Sequence, residues 1–275
     1  MKTARYILIY DDKCPICAAY TRLFVKTGIL NNDGRISFIK ANTGLFERFD
    51  IDRGKNEIPL LDTSTGKVHY GIDALLELLN TRIPIIKGIG RFKPVYWFLR
   101  KLYKFISFNR KVIVAVKCNK GQFDCSPEFN YKWRLLFMLF FLCFNTAALI
   151  PVQQYALANS IFSNASLEYL QVLHIMLVGS NVLLALTMTK TEAFEYLGQV
   201  NILATIAVLF LLLLAGFNRF IIASPIINNL YLFAILLLIV KEYIRRMNYA
   251  GTFSNIYITA TNIFCIVAFL TLMII

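Results

Sequence analysis

The sequence predicts two regions of different kind: an α/β domain at the N-terminus and, after it, an all-α bundle of about five membrane-crossing helices. Three observations carry this. Hydrophobic residues make up 57% of the 275 residues, and nearly all of the excess lies beyond Trp133. Before that point, short apolar runs alternate with helix-like stretches and turn residues, the pattern of strands and helices sharing one core. Beyond it, apolar stretches of about 20 residues recur, the length that crosses a bilayer.

The first element is Tyr6-Ile7-Leu8-Ile9-Tyr10, whose β-branched and aromatic residues favour a buried strand. It is too short for the apolar core of a signal peptide, so the domain is expected to stay where it is made. Cys14-Pro15-Ile16-Cys17 follows and opens a helix over 18–26. Residues 36–40 alternate as a second strand after the turn Asn31-Asn32-Asp33-Gly34. A short helical piece comes at 45–49, then the strand segment Glu57-Ile58-Pro59-Leu60-Leu61-Asp62. Thr63-Ser64-Thr65-Gly66 is turn material, 67–70 returns as the hairpin partner, and 73–80 reads as amphipathic helix. This order is thioredoxin-like: the first strands pair in parallel through a right-handed crossover, and the last two form a hairpin. Pro59, at the start of the third strand, is tolerated because no ladder N–H is needed there.

Two thiols three positions apart at a helix N-terminus form a redox couple, because the free N–H groups and the dipole there favour a thiolate on the first sulfur. Cys14 is then the attacking thiolate and Cys17 the thiol that resolves a mixed disulfide. That role requires the Cys14 sulfur to be both ionised and reachable. The two sulfurs carry the electrons, so no organic cofactor is implied. Zinc, with Cys118 and Cys125 as further ligands, is the competing reading of the pair. A Cys-x6-Cys half-site is wider than structural zinc usually uses, and the strand before Cys14 explains the first pair better.

Tyr10-Asp11-Asp12-Lys13-Cys14-Pro15-Ile16-Cys17 resembles the signature of the DCC family, predicted thiol-disulfide oxidoreductases named for an Asp followed by two Cys. Tyr70-Gly71-Ile72-Asp73-Ala74 is similar to the family's glycine-containing turn before its last helix. Leu102-Tyr103-Lys104, Asn109-Arg110 and Cys125-Ser126-Pro127 look like its C-terminal aromatic, Asn-Arg and Cys-x-Pro elements, so the resemblance spans about residues 5–134. It implies a role for Pro59: in thioredoxin-like proteins this proline is usually cis and packs beside the sulfurs, leaving the preceding backbone free to pair with an extended substrate. Asp11 matches the family's acid, and Asp12 stands where the family usually has Gly. An extra carboxylate near Cys14 disfavours its thiolate, and Lys13 opposes that effect. Asp11 or Asp12 is a candidate proton acceptor for Cys17. Cys125 reads as a structural residue of the family beside an incidental Cys118, or the two form a second redox pair at the membrane surface.

The formal charge of +13 is concentrated: no acidic residue lies between Glu77 and Asp124, while Arg91, Lys93, Arg100, Lys101, Lys104, Arg110 and Lys111 all do, interleaved with Phe92, Tyr96, Trp97, Phe98 and Tyr103. Such a basic and aromatic segment is expected to lie on an anionic bilayer surface. The adjoining spans explain the charge without nucleic acid. The domain plan is therefore a dithiol domain at 1–82, a juxtamembrane segment at 83–134 and a helical bundle at 135–275. Spans are placed at 135–152, 169–188, 196–217, 220–240 and 256–275, and Pro225 leaves two options for the fourth: a tight hairpin with the third or a later start. Lys132, Arg134, Lys190, Lys241, Arg245 and Arg246 crowd alternate loops, which predicts an integral protein of an inner or plasma membrane with the N-terminal domain cytoplasmic. The dithiol then faces a reducing compartment.

Inside the spans, His174 is a functional candidate because ionisable groups at depth are costly, or a residue that bonds a neighbour. Asn145, Asn181, Asn201 and Asn262 are expected to tie helices together. Cys143 and Cys265, each alone in its span, read as small apolar residues rather than steps of a relay. The function expected is a membrane-anchored thiol-disulfide oxidoreductase acting on protein or small-molecule disulfides and thiols. A transporter or lipid-handling bundle with a redox-sensing module is the alternative, because one span would suffice for tethering. A third reading passes electrons from the dithiol to an exterior acceptor such as a quinone or haem.

Overall fold

The structure is a computed structural model that describes residues 5–41, 43–116, 127–221 and 224–274. The chain divides into two compact units, Met1–Trp133 and Arg134–Ile275, each considered by itself.

The first unit is a small mixed sheet with helices. Its elements run β1 (Tyr6–Tyr10), α1 (Pro15–Lys26), β2 (Arg35–Ser37), α2 (Thr43–Phe46), α3 (Ile51–Asn56), β3 (Pro59–Asp62), β4 (Val68–Tyr70), α4 (Gly71–Asn80), α5 (Pro84–Arg91) and α6 (Lys93–Val114). The sheet order is β2-β1-β3-β4; β1 pairs with β2 in parallel, and β3 is antiparallel to both β1 and β4. The predicted parallel crossover and terminal hairpin are both present. Alternation along the central strands sends Leu8 and Leu60 to the face shared with α1 and α4, and Ile9 and Leu61 to the face shared with α2 and α3. Full burial of each such side chain contributes about 1.5–3 kcal/mol of transfer free energy.

Two local details differ from the sequence reading. The second strand ends at Ser37, whose hydroxyl accepts the Lys40 amide at 3.3 Å and turns the chain into a short 3-10 segment, Phe38–Lys40. Helix α3 falls where the sequence suggested only a connection; Asp50 caps it by accepting the Arg53 amide at 3.0 Å. The segment expected to lie on a bilayer surface also packs against the domain through α6. Tyr96 donates to Asp73 at 2.9 Å, Ser107 donates to the Asn56 carbonyl at 2.5 Å, and Arg110 donates to the Lys55 carbonyl at 3.1 Å.

In the second unit, five helices are long and apolar enough to cross a membrane: α7 (Tyr131–Pro151, continuing as a wide turn to Leu157), α8 (Leu167–Ala185), α9 (Lys190–Phe220), α10 (Pro225–Ala250) and α11 (Ile256–Ile274). The fourth starts late, at Pro225, with Ser224 as its cap accepting the Ile227 amide. Leu183, Ile226 and Phe264 are 67%, 73% and 72% exposed, an outer surface suited to lipid rather than water. The polar side chains are spent between helices. Asn145 donates to Asn201, Tyr196 donates to Asn181, and Asn262 donates to Tyr243. Towards the starts of α7 and α9 and the end of α10, Arg134 pairs with Glu195 at 3.0 Å, Gln199 donates to Glu195, and Arg246 donates to both Gln199 and Glu242 at 2.8 Å. The arginines are almost wholly buried, and this chain of partners is what makes that burial tolerable.

Candidate active site

The candidate site is assembled on the turn between β1 and α1. Asp11 shapes that turn: its side chain accepts the Lys13 amide at 3.0 Å, and its carbonyl accepts the Cys14 amide at 3.3 Å. Cys14 is thereby set as the residue preceding the helix, Pro15 fills the first helical position where a missing N–H costs nothing, and Cys17 lies one turn in. Neither cysteine is bonded to another; both are free thiols.

Their chemistry is asymmetric. Cys14 has its pKa lowered to about 6, first because the Cys17 thiol donates to its sulfur and further because the Arg110 guanidinium is near, while burial and Asp11 oppose. Cys17 is pushed far up, since its proton is held by Cys14 and burial disfavours its thiolate. A polarised pair of this kind has one sulfur ready to attack and one that keeps its proton until the first is consumed. Tyr20 and Tyr103 border the pair. Burial raises both phenols, Tyr103 to about 12, and nearby Cys17 raises them further, so each is a hydrogen-bond donor at any physiological pH.

Arg110 comes from α6, far along the chain, and is itself buried. Its guanidinium lies 3.4 Å from Asp11 Oδ2, and Lys111 Nζ lies 4.0 Å from the same oxygen. Burial disfavours its charge, but the two sulfurs and Asp11 outweigh that and raise its pKa. Asp11 thus sits beneath the dithiol as partner to two cations rather than as a lone acid.

Cys14, Cys17 and Asp11 lie together on this turn and Pro59 starts β3, yet two expectations attached to them are corrected. Cys14 is 2% exposed and Cys17 7% exposed, both inside the core with Tyr10, Ile58, Leu60 and the flanking Tyr20 and Tyr103. The Cys14 sulfur is therefore covered, not presented at an open helix tip. Pro59 begins β3 opposite Tyr70 as expected, but no peptide bond among the described residues is cis, so Ile58–Pro59 is trans. Nor is the backbone before it free. The Ile58 N–H donates to the Tyr103 hydroxyl at 2.9 Å, and its carbonyl accepts the Gly71 amide at 3.0 Å. Gly71 permits this through a left-handed φ of 58°, and a Cβ there would come 3.2 Å from the Tyr103 ring.

Tyr103 and Arg110, which the sequence places both in a family-like pattern and in the basic aromatic segment expected on a bilayer surface, instead turn towards the thiols. Cys118 and Cys125 lie outside the described residues. Among the described residues no three His, Cys, Asp or Glu side chains gather as a metal site.

Residues 8–115 match the family model of DCC1-like thiol-disulfide oxidoreductases, so the chain carries that family's domain followed by five membrane-capable helices. No curated protein and no solved structure matches the chain.

Proposed function

From a DCC1-like domain with a polarised dithiol, we propose that the protein is a membrane-anchored thiol-disulfide oxidoreductase whose dithiol works on the cytoplasmic side. The observation that carries this is the split in proton affinity between Cys14 and Cys17 at the start of α1. The Cys14 thiolate attacks one sulfur of a substrate disulfide; a Cys14–substrate disulfide forms, and the other substrate sulfur leaves as a thiolate. Cys17 then gives up its proton and attacks the Cys14 sulfur, so that an internal disulfide forms and the second substrate thiolate departs. The substrate has gained two electrons and the dithiol has lost two, to be restored by a cellular thiol. Asp11 holds the turn, and Arg110 supplies the positive charge that favours the thiolate. Because Cys14 is covered, attack requires its neighbours to yield, and narrow disulfides gain access at the smallest displacement.

Helices α5 and α6 support the anchoring side of the proposal. Ile85, Phe92, Trp97 and Phe98 are 57–68% exposed, with exposed Arg100 and Lys101 among them, a combination suited to the headgroup zone of an anionic bilayer. The test is trapping in the full chain. Cys17→Ser is expected to accumulate a mixed disulfide on Cys14, and Cys14→Ser to abolish exchange with a model disulfide. Exchange that survives Cys14→Ser removes the proposal and leaves a tethered thioredoxin lookalike.

A further inference from the structure

Two segments that the sequence singles out, 70–74 and 102–104, meet at a polar pocket of about 100 Å³ in the first unit. The pocket lies between the end of α3, the start of α4 and α6. On α6, Tyr96, Arg100 and Tyr103 follow one another at helical spacing, on the face from which Ser107 and Arg110 also reach the domain.

Most of the polar groups here are partly committed. Arg53 donates through Nε to Glu57 at 3.3 Å and lies over the Tyr70 ring; Glu57 also faces Lys104 at 3.8 Å. Tyr96 donates to one oxygen of Asp73 at 2.9 Å. The hydroxyls of Tyr70 and Tyr103 accept the Asp50 and Ile58 amides, which leaves both phenol protons without an acceptor among the described residues. Among those residues Arg100 has no ion pair or hydrogen bond, and the second oxygen of Asp73 receives none.

What is unspent divides by sign. Arg100, the Nη groups of Arg53 and the two phenols seek an acceptor, while Asp73 and the remaining lone pairs of Glu57 seek a donor. Two guanidiniums and two carboxylates sum to zero, so a lone anion meets the acids and a lone cation meets the arginines. A molecule with one positive and one negative group close together answers both sets. The volume is about three times the roughly 30 Å³ of a liquid water, room for an ammonium and a carboxylate on one carbon. Water bonds each atom singly but neutralises none of the charges. Tyr103 ties the pocket to the chemistry, since it lines the pocket and also packs against the core cluster that holds Cys14 and Cys17.

We infer that this pocket holds the α-amino acid group of a small thiol, its carboxylate on Arg100 and Tyr103 and its ammonium on Asp73, and that this thiol restores the dithiol. The inference rests on the thiol-disulfide chemistry proposed above and names the class of its reductant. The thiolate of the bound molecule attacks the Cys14 sulfur of the Cys14–Cys17 disulfide; a mixed disulfide forms on Cys14, and Cys17 leaves as a thiolate that takes a proton from water. A second molecule, as its thiolate, attacks the sulfur of the first; Cys14 leaves as a thiolate, and the two small molecules depart joined by a disulfide. Two thiols have lost two electrons and the protein has gained two.

The test uses the full-length protein in phosphatidylcholine nanodiscs, its dithiol first oxidised with diamide. Return of the thiols is followed by alkylation and mass spectrometry of the peptide that carries Cys14 and Cys17. The reductants are cysteine and homocysteine, against cysteamine without the carboxylate, 3-mercaptopropionate without the ammonium, and 2-mercaptoethanol without either. Each rate is divided by that of the same thiol with 2-hydroxyethyl disulfide, which removes differences in intrinsic reactivity. Cysteine or homocysteine is expected to exceed all three controls by about 10-fold, the worth of one charge-assisted contact. Arg100→Gln should erase the advantage over cysteamine, and Asp73→Asn the advantage over 3-mercaptopropionate. Because the thiols are compared first on the unaltered protein, the result does not hinge on how a variant folds. Equal normalised rates on the unaltered protein overturn the inference and leave the dithiol chemistry standing, as does an advantage that Arg100→Gln leaves intact. A dithiol that diamide does not oxidise, or a disulfide that dithiothreitol does not reduce, overturns the inference together with the reading beneath it.

Discussion

The two units bury charge in different ways. In the N-terminal unit, Asp11 and Arg110 form a pair with side chains 1% and 8% exposed, and the pair touches the chemistry: both sulfurs feel the guanidinium. In the helical unit, Arg134 and Arg246 are buried to the same degree, yet their partners Glu195, Gln199 and Glu242 form a chain of polar contacts between helices. The same residue type therefore tunes a nucleophile in one place and fixes helix positions in the other. What separates the cases is the neighbour: a thiol changes character when a positive charge approaches it, and an amide does not.

Substitutions can break this contrast, in order of expected effect. Cys14→Ser should abolish disulfide exchange outright, whereas His174→Leu should leave it intact; exchange assays on both variants check that the redox work belongs to the first unit alone. Asp11→Asn leaves Arg110 buried beside fewer counter-charges, and removing one partner of a buried ion pair costs about 3–5 kcal/mol. Chemical denaturation of the first unit, followed separately from the bundle, should register a loss of that order.

The pH profile sharpens the comparison further. With Cys14 lowered to about 6, its alkylation by iodoacetamide should hold steady as pH falls from about 8.5, the ordinary thiol value, and drop only near 6. The same depression stabilises the reduced domain above the unfolded thiol's pKa, and that contribution is lost as pH falls through 6. Arg110→Gln removes a positive charge, so its midpoint should move up; an unmoved midpoint would mean that Arg110 serves packing only. The smallest effect is expected for Tyr103→Phe, which strands the Ile58 N–H at a cost of about 1–3 kcal/mol. The Cys14 midpoint should be little changed, and a thermal melt should shift modestly.

Much of the fold was legible because it is written locally. Alternation in Tyr6–Tyr10 and in the β3 segment marked buried strands, and the apolar lengths after Trp133 marked five helices. Where one side chain's hydrogen bond decided the outcome, the pattern was silent: Ser37 stopped β2, and Asp50 started α3. The site divided in the same way. The Cys pair and Asp11 are neighbours in sequence, and the helix start after β1 was predictable. Tyr103 and Arg110 reach it from α6, and a basic aromatic stretch looks alike whether its tyrosines and arginines turn to lipid or to a core.

By itself, the sequence determined that a dithiol begins a helix after a buried strand and that five helices long and apolar enough to cross a membrane follow, because periodicity, span length and residue spacing act over short distances along the chain. Only the tertiary structure decided that the sulfurs are covered and that Tyr103 holds the backbone before a trans Pro59. Each of these depends on which side chain of a distant element takes a given hydrogen bond, and no stretch of sequence records that competition.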